Sequence, residues 1–166
     1  MTTLKARPAQ REDAAAIAEI YNQGIADRIA TFETEPRTPA QIEPWFENGM
    51  PIVAIVADDD ELVGYAAAFP YSDRSCYQGI GEFAVYVRRD WRGRGVGKLA
   101  MEALVDASRA GGLWKLLSRV FTENRASRAL MAQVGFKEIG VHEKHGKLDG
   151  LWRDCAIVER LIPENF

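Results

Sequence analysis

The chain has 166 residues, a formal net charge of −3, and apolar residues at 47% of its positions. That length fits one domain spanning 1–166, that apolar share supplies a core, and that charge argues against a general nucleic-acid binder. No apolar run approaches ~20 residues, MTTLKARPAQREDAAA lacks the apolar stretch of a signal peptide, and only Cys76 and Cys155 occur, so the sequence predicts a reduced, cytoplasmic protein without membrane contact.

In chain order, Leu4 to Ala9 predicts a short strand. A helix follows from about Arg11 to Arg28, with Ile17, Ile20, Tyr21, Gly24 and Ile25 at helical spacing. Thr31 to Pro39 carries two prolines and predicts a loop, and Gln41 to Asn48 a second, short helix. Ile52 to Ala57 and Leu62 to Phe69 predict a strand pair joined by the acidic turn Asp58 to Glu61. After a loop from Pro70 to Gly79, Glu82 to Val87 predicts a strand rich in β-favouring residues. Val96 to Ala110 has a single apolar stripe stopped by Gly111 and Gly112, which is the clearest helix. Trp114 to Phe121 predicts a strand and Arg125 to Val134 a helix ended by Gly135. Phe136 to Glu143 and Leu151 to Leu161 close the chain as strands around the turn signal Asp149-Gly150. The order implies a mixed α/β sheet with helices on its faces.

The segment RRDWRGRGVGK, Arg88 to Lys98, lies between a strand and the clearest helix. Its glycines permit positive φ and close approach of a ligand to the backbone, and successive amides at a helix start form an anion site. Arg92, Arg94 and Lys98 add mobile positive charge, so the segment suits a pyrophosphate. A Walker A loop is excluded because Arg92 stands where its first glycine belongs and Leu99 where its hydroxyl belongs. A dinucleotide fingerprint through Gly95, Gly97 and Ala100 lacks the tight turn and the acid at the end of the next strand. The pattern Arg-x-x-Gly-x-Gly, at Arg92, Gly95 and Gly97, remains, against a plain glycine-rich helix start.

Glu82 shares a strand face with Ala84 and Tyr86, opposite Phe83, Val85 and Val87. A carboxylate beginning an apolar strand is costly to bury without a purpose; the equal alternative is a solvated strand end. Asp27 and Arg28 read as exposed charges. His142 and His145, three apart on a strand, fall on opposite faces, so no metal site is expected. Cys155 reads as core and Cys76 as a loop thiol.

Two spaced motifs, Arg92-Gly-Arg-Gly-Val-Gly97 and Asn124-Arg-Ala-Ser-Arg-Ala-Leu-Met-Ala-Gln-Val-Gly-Phe136, resemble the GNAT superfamily of acetyltransferases over essentially the whole chain. The segment Asn22 to Pro39, with Arg74-Ser-Cys-Tyr77, Glu82 to Val87, Lys144-His-Gly146 and Trp152-Arg-Asp154, is similar to the phosphinothricin and arsinothricin N-acetyltransferase subfamily. The resemblance implies a GNAT-like mixed, mostly antiparallel sheet flanked by helices on both faces, acetyl-CoA as cosubstrate, a homodimer, and acetylation of the α-amino group of a glutamate-like or methionine-like compound. Peptide acetylation and a non-catalytic CoA sensor are the rival readings.

By the same resemblance Glu82 is the general base. Phe83, Ala84, Val85, Tyr86 and Val87, the run Arg92, Gly93, Arg94, Gly95, Val96, Gly97 and Lys98, and Asn124 with Ser127 bind acetyl-CoA, the amides near Val85 to Val87 serving the oxyanion. Asn124 and Ser127 also suit a helix cap. Thr31, Phe32, Arg74 and Tyr77 are the implied substrate contacts, Arg74 through its bidentate fork. Where the family places a tyrosine or histidine to protonate the leaving thiolate, this chain has Met131, which donates no proton. Tyr86 or Tyr77 is then the donor, or the thiolate leaves unassisted, which a thiol pKa of about 8.5 allows.

Overall fold

A computed structural model describes residues 2–166; Met1, the first residue of the stretch read above as lacking a signal peptide, lies outside them. The elements are β1 (Lys5–Pro8), α1 (Ala14–Asp27), α2 (Pro39–Ile42), β2 (Ile52–Val56), β3 (Leu62–Pro70), β4 (Ile80–Val87), α3 (Val96–Ala110), β5 (Lys115–Phe121), α4 (Arg125–Gln133), β6 (Lys137–Leu148) and β7 (Leu151–Leu161). The strands form one sheet in the order β1-β2-β3-β4-β5-β7-β6. Every neighbouring pair is antiparallel except β4 and β5. That pair is parallel because α3 carries the chain back across the sheet between them.

Alternation along the central strands sorts the core into two layers. Val53, Ile55, Ala66 and Phe83 face α3, where Val96, Met101 and Leu104 meet them. Ala54, Val56, Tyr65 and Ala67 face the other way, onto Ile17, Ile20 and Ile42 of α1 and α2. With helices on both faces, β2 and β3 are buried almost throughout, and their sequences read as continuous apolar runs. No helix among the described residues is long and apolar enough to cross a membrane.

Four elements depart from the sequence expectation in ways that bear on the site or its scaffold. The first helix opens with a 3-10 turn at Arg11–Asp13, so the α-helix starts at Ala14. The second helix begins at Pro39 and becomes 3-10 over Glu43–Glu47. Pro44 lacks the N–H that an α-helix would direct to the carbonyl of Ala40. Strand β4 begins at Ile80, which makes Glu82 its third residue rather than its first. Strand β6 runs on to Leu148 through a register shift between His142 and Gly146, with Lys144 at φ 46°. The shift breaks the two-residue alternation, so His142 and His145 do not lie on opposite faces; their rings stack at 4.4 Å.

The 3-10 turn is fixed by Asp13. Arg7 donates to both of its carboxylate oxygens, at 2.8 and 2.9 Å, and the Gln10 N–H donates at 2.7 Å. The Arg7 bonds, against the opposing effect of burial, hold the Asp13 carboxyl below the usual carboxylate range. A depressed folded-state value gives stability that is present above the ordinary pKa and lost as pH falls through the folded one. Asp13→Asn is therefore expected to cost about 1–3 kcal/mol at neutral pH, on the scale of charged hydrogen bonds. Thermal unfolding at pH 7 and at successively lower pH checks this: the gap between variant and wild type should shrink below about pH 4.

Candidate active site

Strands β4 and β5 pair only from Ile80 to Glu82 against Lys115 to Leu117. Beyond that point β4 follows β3 to Val87, while β5 follows β7 to Phe121. The sheet therefore opens as a V whose apex is at Glu82. The edge of β4 that faces β5 has no ladder partner from Phe83 onward. A cleft of about 770 Å³ fills the V. Phe83, Ala84, Val85, Tyr86 and Val87 line one arm, and Ser118, Arg119 and Val120 the other. The glycine turn and the start of α3 close one end, and Asn124, Ser127 and Leu130 of α4 the side.

The glycine turn is open to a ligand. Gly93 and Gly95 have φ of 76° and 83°, the left-handed region that favours glycine. Gly95 caps α3 without any side-chain bond, and the first amide to bond back is that of Leu99, at 3.1 Å from the Gly95 carbonyl. The amides of Val96, Gly97 and Lys98 thus have no acceptor inside the helix and sit at its positive end. A Cβ on Gly97 would stand 3.0 Å from Leu130 Cδ2 and 3.6 Å from Val87 Cγ2, both of which line the cleft. Hydrogen at that position keeps the mouth clear.

The charges around this turn are organised more tightly than the sequence suggests. Asp27, at the end of α1, accepts from Arg92 at 2.6 Å and from Arg89 at 2.7 Å. Arg92 also donates to the Val87 carbonyl at 3.2 Å, so it is clamped rather than mobile. Asp27 is correspondingly no simple exposed charge. Burial alone would raise its carboxyl, but the two guanidinium groups outweigh that and hold it below the usual range. Arg94 lies over the Trp91 ring at 4.9 Å, and Lys98 remains the loosely held cation, 4.0 Å from Glu102. No local spacing in the sequence joins residue 27 to residues 89 and 92.

At the apex the Glu82 carboxylate is paired with Arg119 of β5. Arg119 lines the cleft, and Glu82 borders it through that pair with about a third of its side chain exposed. The sequence reading missed Arg119. Its signal was a cation inside the strand KLLSRVF, with the apolar Leu117 and Phe121 two residues to either side. Tyr86 lies on the same sheet face, packed on Tyr21 at 5.1 Å and stacked on Tyr65 at 5.8 Å. Burial pushes its hydroxyl well above the ordinary tyrosine value, only partly countered by a hydrogen bond with Thr31. Gly24 makes room for that ring: a Cβ there would lie 2.5 Å from Tyr86 Cε1.

The remaining expected site residues divide. Asn124 caps α4 by accepting from the Ser127 N–H at 3.1 Å, and both residues also line the cleft. Ile29 and Ala30 reach the cleft wall, while Thr31 meets Tyr86 and Phe32 packs edge-on against Phe121 at 4.8 Å. Arg74 and Tyr77 do not line the cleft. They lie on a loop of their own, Arg74 over the Tyr77 ring at 5.3 Å and Tyr77 against Tyr71. Met131 is buried among core residues and is not a wall of the cleft.

The sheet is splayed beside an open helix N-terminus, with free backbone amides at one end of the cleft and the Glu82–Arg119 pair at the apex of the gap. A family profile described as Acetyltransferase (GNAT) family matches residues 17–136, and the chain belongs to that family. It is 34% identical over 164 residues, 95% of each chain, to a phosphinothricin N-acetyltransferase of Streptomyces coelicolor. It is 30% identical over 157 residues, 92% of this chain and 91% of the other, to an L-methionine sulfoximine/L-methionine sulfone acetyltransferase of Pseudomonas aeruginosa. Among solved structures, a phosphinothricin acetyltransferase of Sinorhizobium meliloti in complex with acetyl-CoA superposes with a TM-score of 0.90 at 29% identity, over 96% of this chain and 89% of that one.

Proposed function

We propose that this acetyltransferase uses acetyl-CoA to acetylate the α-amino group of small amino-acid analogues of the phosphinothricin, arsinothricin and methionine sulfoximine kind, with residues 1–166 acting as one domain. The observation that carries the reading is the V itself: a glycine turn with free amides at its mouth and a carboxylate paired with a guanidinium at its apex. The residues fit the donor. Unbonded amides of Val96, Gly97 and Lys98 suit the pyrophosphate, and the cleared position at Gly97 admits it. Asn124 and Ser127 flank the space where a pantetheine arm would run, alongside the unpaired edge of β4.

Bound there, acetyl-CoA supplies the activated acyl carbon. Glu82 takes the proton that an α-ammonium group must lose before it can attack. Amides of Val85 to Val87 are the donors for the developing oxyanion. Buried Met131 offers the departing thiolate no proton. Tyr86 lines the cleft, but burial holds its hydroxyl far above a thiol's pKa of about 8.5 and so makes it a poor acid, which favours a thiolate that leaves unassisted. Thiol release with acetyl-CoA across phosphinothricin, arsinothricin, methionine sulfoximine, glutamate and short peptides tests the reading. Turnover confined to peptides, or none with any amine, overturns it. The biological role that follows is detoxification in the cytoplasm, where acetyl-CoA and reduced thiols coexist.

The same reading includes a homodimer. Strand β6 is an edge strand exposed along nearly its whole length, and Ile139, Val141, Leu151 and Trp152 of the β6–β7 hairpin are each at least half exposed. Unpartnered apolar edges of this kind invite pairing with a second chain. Light scattering is expected to give twice the chain mass for the wild type and the single mass for the double variant Ile139→Lys, Val141→Lys. A monomeric wild type at assay concentration removes the dimer.

A further inference from the structure

The Glu82–Arg119 pair is incompletely used. Only Arg119 Nη2 meets Glu82 Oε1; among the described residues neither Arg119 Nε and Nη1 nor Glu82 Oε2 has a protein hydrogen-bond partner. Both side chains keep about a third or more of their surface open, at 40% and 32%. Of the cations that line the cleft, Arg92 and Lys98 belong to the glycine turn, which leaves Arg119 alone at the apex. An arginine fork with free donors, next to a carboxylate with a free oxygen, presents a positive and a negative group in direct contact.

We propose that Arg119 is a specificity-determining residue: it binds the α-carboxylate of a free amino acid while Glu82 receives the α-ammonium group of the same molecule. The inference rests on the acetyltransferase function proposed above and names what its apex selects. The geometry favours the α-carboxylate over any side-chain acid. Two protein charges in contact are complemented by two opposite charges on neighbouring atoms, and in an amino acid those are the ammonium and carboxylate carried by one carbon. When the zwitterion enters, its carboxylate takes the free donors of the fork, and Glu82 exchanges its guanidinium partner for the ammonium. One ammonium proton then moves to a Glu82 oxygen. The freed nitrogen lone pair forms the N–C bond to the acyl carbon, the C–S bond breaks with its electrons leaving on sulfur, and the second proton that the nitrogen sheds on becoming an amide neutralises the thiolate. A peptide N-terminus carries no carboxylate on its first carbon and would leave Arg119 unmatched, so the pair selects against peptides.

L-Methionine sulfone and its α-carboxamide separate the cases, because the amide keeps the amine and removes only the anion. With acetyl-CoA and thiol release, the wild type is expected to favour the acid over the amide by roughly thirtyfold or more in kcat/KM, the scale of a charge-assisted bidentate contact. In Arg119→Leu that preference should collapse toward unity, with the loss carried mainly by KM for the acid. Arg119→Lys, which keeps the charge without the fork, should recover part of it. Calorimetric binding of acetyl-CoA, unchanged in the variants, confirms an intact fold; should Arg119→Leu fail that check, Arg119→Gln takes its place. An undiminished preference for the acid in the neutral variant overturns the role of Arg119 while leaving the acetyltransferase function standing, as does a wild type indifferent between acid and amide. Absence of turnover with either compound and with every other free amino acid removes both.

Discussion

Glu82→Gln is expected to lower kcat by about 10²–10⁴-fold, the range that a positioned general base contributes. The substitution keeps the size of the side chain and its ability to accept from Arg119, but an amide takes no proton from an ammonium group. Glu82 lies at the apex with Arg119, at the opposite end of β4 from the glycine turn, so the dissociation constant of acetyl-CoA should stay within about threefold of the wild type by calorimetry. That split between turnover and donor affinity is the signature sought. Equal turnover in variant and wild type removes Glu82 as the base. A parallel loss of acetyl-CoA binding assigns it a structural role instead.

Gly97→Val is expected to have the opposite split. The Cβ alone would come within 3.0 Å of Leu130 Cδ2, and the two methyl groups beyond it have only the cleft to occupy. They would stand over the amides of the first turn of α3, the proposed seat of the pyrophosphate. The KM for acetyl-CoA should rise by about two orders of magnitude or more, and calorimetry should lose the binding heat. Global stability should change little. The residue lies in the first helical turn, and the helix penalty of valine relative to glycine is negligible or favourable. A variant that binds acetyl-CoA normally would move the pyrophosphate away from this turn, and with it the assignment of the whole V.

Gly97 and Glu82 also mark the two ways in which sequence and structure inform each other here. The glycine turn was legible because its information is local. Positive φ at Gly93 and Gly95, free amides at a helix start and the strand before it are all consequences of consecutive residues. The helix Val96–Ala110 was legible to the residue because its apolar stripe and its stop at Gly111 are local as well. The acidic turn between β2 and β3 and the Asp149-Gly150 turn follow the same logic.

By itself, then, the sequence determined the alternation of strands and helices, the glycine turn that opens α3 and the family resemblance. Tertiary structure alone decided that β4 and β5 part company after Glu82, that Asp27 ties down Arg89 and Arg92, and that Arg119 shares the apex with Glu82. It also set Arg74 and Tyr77 outside the cleft and turned His142 toward His145 through a shift of register. The reason is range. Dihedral preference and periodicity act over a few residues and are written in them, whereas a guanidinium finds its carboxylate across 37 positions only after the strands that carry both have taken their places in one sheet.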